Sequence, residues 1–320
     1  MIREGFVQKK TVLITGANGF IGFHITKYLL KKGYGIIAIG NPQTLKPLSY
    51  YSNLLSIEHF YLPSQSFINI VNIFRPECVV HCAGSASVPI SLVEPYEDFQ
   101  NNTIATAFVL ETIRKHCPDC YFLYFSSAAV YGNPSRLPVR EIDPPNPISP
   151  YGYHKFLAEI AIEEYAAIYD IKSTIFRVFS AYGEYLQKQV VYDLLKKFSA
   201  PSNLPVILHG KGNETRDFIY IDDLLMVVDK FLHQPQYGIF NLASGIQTKI
   251  SSLAELIKFE IGSDRNFEFN GVVQKGTPDQ WEADISKLEL IGSEPRVSLE
   301  EGIRNTCGWF LKTLKKELRS

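Results

Sequence analysis

TVLITGANGFIG, residues 11–22, decides the fold. Three aliphatic residues between threonines run directly into Gly16, and Gly19 and Gly22 follow at intervals of three. A short apolar run of this kind fits a strand covered on both faces. The stretch after it sets Ile21, Ile25, Tyr28 and Leu29 on one face of a helix. Glycines between such a strand and such a helix let the backbone turn tightly and approach a phosphate, whose charge the helix N-terminus stabilises. A glycine triplet by itself marks only a tight turn; its place between strand and helix is what points to a dinucleotide. We therefore expect Gly16, Asn18, Gly19, Phe20, Ile21 and Gly22 to hold a pyrophosphate.

Outward from this stretch the rhythm repeats. IIAI at 36–39, CVVHCA at 78–83, YFLYFSS at 121–127 and STIFRVF at 173–179 are further strand-like runs. Amphipathic segments separate them, such as the one carrying Leu157, Ile160, Ala161 and Tyr165. Strand and helix in alternation predict α/β architecture: a Rossmann-type doubly wound parallel sheet with ligands at the carboxyl ends of its strands. Beyond about residue 180 loops increase, and only short periodic segments such as Val190–Phe198 and Leu253–Phe259 stand out. This predicts a smaller C-terminal substrate-binding lobe. We divide the chain into a dinucleotide-binding domain, 1–176 with 216–242 returning to it, and a lobe made of 177–215 and 243–320.

Composition narrows the function classes. A net charge of −1 and 20% charged residues argue against a nucleic-acid surface. MIREGFVQKK, residues 1–10, lacks the apolar core of a signal peptide, and no run reaches the roughly 18 apolar residues of a membrane span. We expect a cytoplasmic protein with no membrane partner. Five cysteines do not form a disulfide framework. Cys117 and Cys120 make a lone C-x-x-C without the second ligand pair that zinc needs, and they lead into the strand-like run Tyr121–Phe125 instead of opening a helix. A structural role is expected for them. The seven histidines show no metal-ligand spacing and there is no G-x-S-x-G elbow, so no metal is expected.

Two further segments carry chemistry. In SPYGYHK, Tyr151 and Lys155 stand four apart, on one face of a helix, where an ammonium can favour a phenolate. Moving a tyrosine from its usual pKa to about 7 requires roughly 4 kcal/mol, which a nearby lysine and a positively charged nicotinamide could jointly supply. Tyr151 would then serve as a base at neutral pH. Taken alone, such a pair is more often a solvated Tyr and Lys on a helix surface. In FSSAAVYG, Ser126 and Ser127 end a strand, and a hydroxyl there can donate to a substrate oxygen. Serines at strand ends also commonly satisfy local backbone groups.

These segments, in this order, resemble the extended short-chain dehydrogenase/reductase family of NDP-sugar epimerases, dehydratases, decarboxylases and reductases. The resemblance extends through HCAG at 81–84, Asn102, LPVREIDPPNPISPYG at 137–152, RDFIYIDD at 216–223 and ADISKLELIGSEPRVSLEEGI at 283–303. It implies a catalytic trio of Ser127, Tyr151 and Lys155, with Tyr151 as base and Lys155 on the nicotinamide ribose. It places His81, Ala83, Gly84 and Asn102 along the cofactor channel, and Ser85, Ser127, Ser180, Lys188 and Arg216 on the nucleotide-sugar side. It also implies a homodimer through the helices around 96–115 and 151–169, for which Ile104, Phe108, Ala161 and Tyr165 offer apolar surface.

Departures from the family pattern matter too. Where many members carry an acidic residue after the second strand, this chain has Gly40 and Asn41, and YLPSQ follows the third. Both NAD and NADP stay open as cofactor, with Lys46 the candidate for a 2′-phosphate. Ala128 and Ala129 stand where the 4,6-dehydratases carry an acidic pair, so elimination lacks its acid and base. Ser180 replaces an Asn of the diphosphate site, and GTPDQWEAD lacks an arginine found there in relatives. The expected activity is an epimerase working by transient oxidation, at C4. The alternative is a ketosugar reductase or sugar-nucleotide dehydrogenase using the same trio, and a non-catalytic nucleotide-binding homologue is disfavoured because Tyr151 and Lys155 are both present.

Overall fold

The computed structural model describes residues 10–202 and 204–317. Residues 1–9, read above for a leader sequence, lie outside the described residues. In chain order the first half runs β1 Thr11–Thr15, α1 Phe20–Lys31, β2 Gly35–Ile39, α2 Pro42–Leu45, β3 Leu54–Glu58, α3 Gln65–Phe74 and β4 Cys78–His81. Then come α4 Val88–Val93, α5 Pro95–Phe99, α6 Ala105–His116, β5 Tyr121–Ser127, α7 Pro150–Tyr169 and β6 Ser173–Val178. The second half adds β7 Ser180–Tyr182, α8 Gln189–Ser199, β8 Val206–Leu208, β9 Thr215–Tyr220, α9 Ile221–His233 and β10 Gly238–Leu242. It ends with β11 Gln247–Lys249, α10 Ile250–Ile261, β12 Phe267–Phe269, α11 Ser286–Leu290 and α12 Leu299–Glu317.

Seven strands form one parallel sheet in the order β10-β6-β5-β4-β1-β2-β3. The order reverses direction between β1 and β4, the topological switch point where a doubly wound sheet leaves a crevice at its carboxyl edge. Each face is covered. Val12 and Ile14 join the core on one side with Ile25 and Leu29 of α1, while Leu13 faces Phe67, Val109 and Ile162 on the other. Such double burial is why β1 reads as an uninterrupted apolar run.

The strand Leu54–Glu58 is missing from the apolar runs of the sequence. It is the sheet's edge, Leu55 is 46% exposed, and its mixed pattern LLSIE follows from being half covered. The second half also holds longer helices than its short periodic segments suggest. In α12, Ile303, Cys307 and Phe310 are buried on one stripe, and the remaining polar positions hide the period.

Two small sheets build the rest: β11-β9-β7, and β12 beside β8. β9 runs straight into α9, whose following strand β10 completes the main sheet against β6. Two buried carboxylates in RDFIYIDD clamp these segments. Asp217 accepts from the backbone N–H groups of Ser244, Gly245 and Ala283 and from the Ser244 hydroxyl. Asp223 accepts from the N–H groups of Arg296 and Val297.

Of the residues expected on an outer helix face, Ile104 is 40% exposed, but Phe108, Ala161 and Tyr165 pack against the core. Phe108 lies against Phe67, and the Tyr165 hydroxyl donates to Glu111 at 3.1 Å. Tyr153, Leu157 and Ile160 of α7 are exposed instead. No helix among the described residues is long and apolar enough to cross a membrane.

Candidate active site

The glycine turn sits where β1, β2 and β4 end. Gly16 has φ 66°, and a Cβ there would lie 2.7 Å from the Ala83 nitrogen; one on Gly22 would lie 2.2 Å from the Gly16 carbonyl. Only glycine lets the turn press this closely against Ala83 and lets α1 start at once. The Ala17 N–H donates to Ile39 at the end of β2. A Cβ on Gly40 would strike Asn18, so the tip of β2 also touches the turn. Asn18 and Gly19 are exposed, and Phe20 and Ile21 half-buried. Asn41 caps α2, its side chain accepting from the Gln43 N–H at 2.9 Å. Lys46 is exposed in the turn after α2. Strand register brings one carboxylate to this edge that sequence reasoning passed over: Glu58 pairs with Ile39, and its carbonyl accepts from the Gly40 N–H at 2.8 Å. A strand-end acid three residues before the expected YLPSQ position carried no signal without β3.

At the end of β4, His81 is fully buried between two hydroxyls, Thr15 at 2.7 Å from Nδ1 and Thr106 at 3.2 Å from Nε2. Burial pushes its pKa down to about 3, with the Lys155 charge adding to the effect, so the ring is neutral. It is shut off from solvent beneath Thr15 and Ala83. The Thr15 hydroxyl also accepts from the Ala83 N–H. Gly84, at φ 147°, presses on Asn102, whose Oδ1 a Cβ would approach to 2.5 Å. Asn102 sits in a π-helical turn at Gln100–Ile104, donates to the Asp98 carbonyl at 3.1 Å, and leaves Oδ1 buried with no protein partner among the described residues. The bare glycine turn, the close-packed positive-φ bend at Gly84 and this acceptor suit the donors and phosphates of a dinucleotide.

Ser149 caps α7 by accepting from the Gly152 N–H, and Gly152 lets the first turn lie on the Ala129 carbonyl, 2.5 Å from where a Cβ would stand. This puts Tyr151 beside the end of β5. Its phenol faces the Ser127 hydroxyl across the cavity wall, and Ser127 Oγ accepts from the Ala129 N–H at 3.1 Å. Lys155, one turn on, donates to the Phe125 carbonyl at 2.9 Å, with its ammonium 4.8 Å from the Tyr124 ring centre. The protein's own groups, without the nicotinamide charge that the expectation included, act on Tyr151 in the opposite direction. Burial pushes Tyr151 up to about 12, Ser127 offsets part of the rise, and the Asp98 charge adds to it. Lys155 is not among the charges acting on the phenol; burial takes its own pKa down to about 8, opposed by Cys82, Asp98 and Glu159.

Sequence reasoning passed over two buried acid–base pairs behind this trio. Asp98 Oδ2 lies 2.6 Å from His154 Nδ1, and its other oxygen is buried with no protein partner among the described residues. Glu159 and Arg177, both nearly inaccessible, pair at 2.7 Å, and Ser126 donates to the same carboxylate. The SPYGYHK segment contains His154, but nothing local indicates that Asp98, 56 positions earlier, faces it.

Ser127, Tyr151, Ser180, Lys188 and Arg216 line a single cavity of about 400 Å³. Ser85 falls just short of it; Ala86 to Pro89 form that wall, and Phe179, Tyr182, Phe218 and Trp281 add aromatic surface. Arg216 donates to the Thr215 carbonyl at 2.6 Å and lies 5.2 Å from the Trp281 ring centre. Burial brings its pKa down to about 10, with Glu214 and Asp279 opposing. Lys188, on the rim before α8, is likewise pushed down by desolvation. A second cleft of about 570 Å³ adjoins the cavity, sharing Gln189, Val190, Arg216, Gln274 and Thr277. Small acceptor, buried phenol and two cations thus stand along one continuous groove.

The profile of the NAD dependent epimerase/dehydratase family matches residues 12–243. A UDP-glucuronate 4-epimerase of Thermodesulfobacterium geofontis is 27% identical, covering 95% of this chain and 97% of that one. Among solved structures, a UDP-glucose 4-epimerase of Thermotoga maritima with UDP-glucose is 31% identical, with a TM-score of 0.84 over 95% of this chain and 99% of that one. The UDP-glucuronic acid 4-epimerase of Bacillus cereus, in complex with UDP-glucuronic acid and NAD, is 27% identical, with a TM-score of 0.86 over 95% and 99%. With its glycine turn, its seven-stranded sheet and a profile match across most of its length, this chain belongs to the NAD dependent epimerase/dehydratase family.

Proposed function

We propose that this protein is an NAD(P)-dependent epimerase of a nucleotide-activated sugar, inverting C4 by transient oxidation and re-reduction. The observation that carries the reading is that Tyr151 and Ser127 line the same cavity as Arg216 and Lys188. A nicotinamide dinucleotide, when bound, supplies a hydride acceptor and a positive ring charge. Gly16, Asn18, Gly19, Phe20, Ile21 and Gly22 hold its pyrophosphate, Gly40 and Asn41 meet its adenosine end, and Ala83, Gly84, Asn102 and Lys155 take the nicotinamide end. His81 orders that wall through Thr15. NAD accompanies the Bacillus cereus neighbour, and Asn41 has no arginine next to it.

Tyr151 takes the proton of the sugar hydroxyl and later returns it, while Ser127 holds the same oxygen. Arg216 and Lys188 neutralise the diphosphate, with Ser180 beside them. Ala129 lines the cavity and Ala128 is buried next to it, so the wall offers no acid there for eliminating a hydroxyl. The chain is divided as before, 1–176 with 216–242 against 177–215 with 243–320. It works in the cytoplasm as a homodimer joined through α6 and α7, where Ile104, Tyr153, Leu157 and Ile160 are exposed.

The test follows UDP-, GDP-, CDP- and dTDP-hexoses by chromatography, with and without added reduced cofactor. One sugar is expected to equilibrate with its C4 epimer without net consumption of cofactor. Conversion that stops unless reduced cofactor is supplied stoichiometrically would establish the reductase instead.

A further inference from the structure

Cys117 and Cys120 lie at the amino end of β5, away from Ser127 at its carboxyl end, and the proposed reaction makes no use of them. Cys117 closes α6 with its N–H on the Ile113 carbonyl, and the Cys120 N–H returns to the Cys117 carbonyl at 2.9 Å. That bond defines a tight turn, which holds the two Cα atoms within about 7 Å. A disulfide spans roughly 4.4–6.8 Å between Cα atoms. Neither thiol is locked elsewhere by a strong bond: Cys117 donates to the Pro76 carbonyl at 3.4 Å and Cys120 to the Tyr121 carbonyl at 3.7 Å. Their exposure differs: Cys117 is half-buried, while Cys120 is 1% exposed. Solvent therefore meets Cys117 more readily than Cys120.

A helix C-terminus by itself disfavours a thiolate. Here Arg75, in the left-handed region at φ 44°, places its guanidinium on the His116 carbonyl at that terminus. The charged or titratable groups that act on Cys117 are Cys120, Arg75 and Asp119, and Cys78 also faces Cys120. The neighbouring Cys120 thiol, followed by Arg75, brings Cys117 down to about 7, against burial and Asp119. Cys120 is raised well above the ordinary range by the neighbouring Cys117 thiol and by burial. No group of three or more metal-ligating side chains includes them among the described residues.

We propose that Cys117 and Cys120 are a reversible dithiol–disulfide pair, with Cys117 as the attacking thiol and a small-molecule disulfide such as oxidised glutathione as the oxidant. The Cys117 thiolate attacks one sulfur of the oxidant, forming a mixed disulfide and expelling one thiolate. Cys120 sulfur, giving up its proton, then attacks Cys117 Sγ, forming the internal bond and expelling the second thiolate. The protein loses two electrons. The oxidant is reduced to two thiols, which take up the two protons the cysteines release.

The full chain is equilibrated with excess oxidised glutathione, free thiols are alkylated, and peptides are mapped by mass spectrometry. A Cys117–Cys120 disulfide is expected, reversed by reduced glutathione in excess. Recovery of both as free thiols, or of a stable mixed disulfide at Cys117 in the unmutated chain, would overturn the pair. Cys120→Ser is expected to stop at the mixed disulfide on Cys117, and a variant that takes up no glutathione there overturns the assignment of the attacking thiol. Alkylation of Cys117 in the native protein should titrate with a midpoint near pH 7. Cys120→Ala should raise that midpoint by removing the neighbouring thiol, and an unmoved midpoint counts against the proposed roles.

Discussion

Burial moves Tyr151 and Lys155 in opposite directions from their ordinary proton affinities, and both shifts can be tested. Tyr151→Phe removes the proton acceptor while keeping the ring, so turnover should fall by roughly two to four orders of magnitude with little change in folding. Parent-like turnover in that variant would refute the base assignment. The Asp98 charge raises the phenol, so Asp98→Asn should move the acid limb of kcat/KM against pH to lower values. A limb that stays put or rises would show that Asp98 does not act on the base. Lys155 holds a folded pKa of about 8 against an ordinary 10.5. Between those values the unfolded chain binds more protons, so stability rises with pH across that window. Urea midpoints at pH 7.5 and 9.5 should show this rise in the parent and lose it in Lys155→Met.

Elements that face one partner over their whole length were legible in the sequence, and those defined by distant partners were not. β1 and α7 announce themselves because burial on both strand faces and a helix cap leave local marks. Ser127, Tyr151, Ser180, Lys188 and Arg216 were legible as candidates because each sits in a short segment at a strand end or helix start. The Asp98–His154 contact, β3 and Glu58 depend on which segments meet, and an edge strand has no clean period to show. The same holds for Asp217, which ties β9 to residues 244, 245 and 283 through four hydrogen bonds. Asp217→Ala leaves those buried donors without an acceptor, so a loss of roughly 2–4 kcal/mol is expected in urea unfolding. Because β9 also carries Arg216, substrate KM should rise in the same variant. A loss below roughly 0.5 kcal/mol would show that the clamp is dispensable.

At the scale of the whole molecule, Tyr153, Leu157 and Ile160 present 52%, 40% and 44% of their surface along α7. Leu157→Glu should convert a dimer to a monomer in light scattering at micromolar concentration, with the fold retained. A parent that is itself monomeric there would exclude this assembly under those conditions. The seventh strand has a further consequence. Since β10 pairs with β6 only after about sixty intervening residues, a ribosome must release the chain through Leu242 before the main sheet can close. Until then β6, buried at every position in the finished protein, has an open flank of unpaired backbone donors and acceptors. The nascent chain is therefore most prone to stick to its neighbours between the emergence of residues 178 and 242, the interval in which holding by a chaperone matters most.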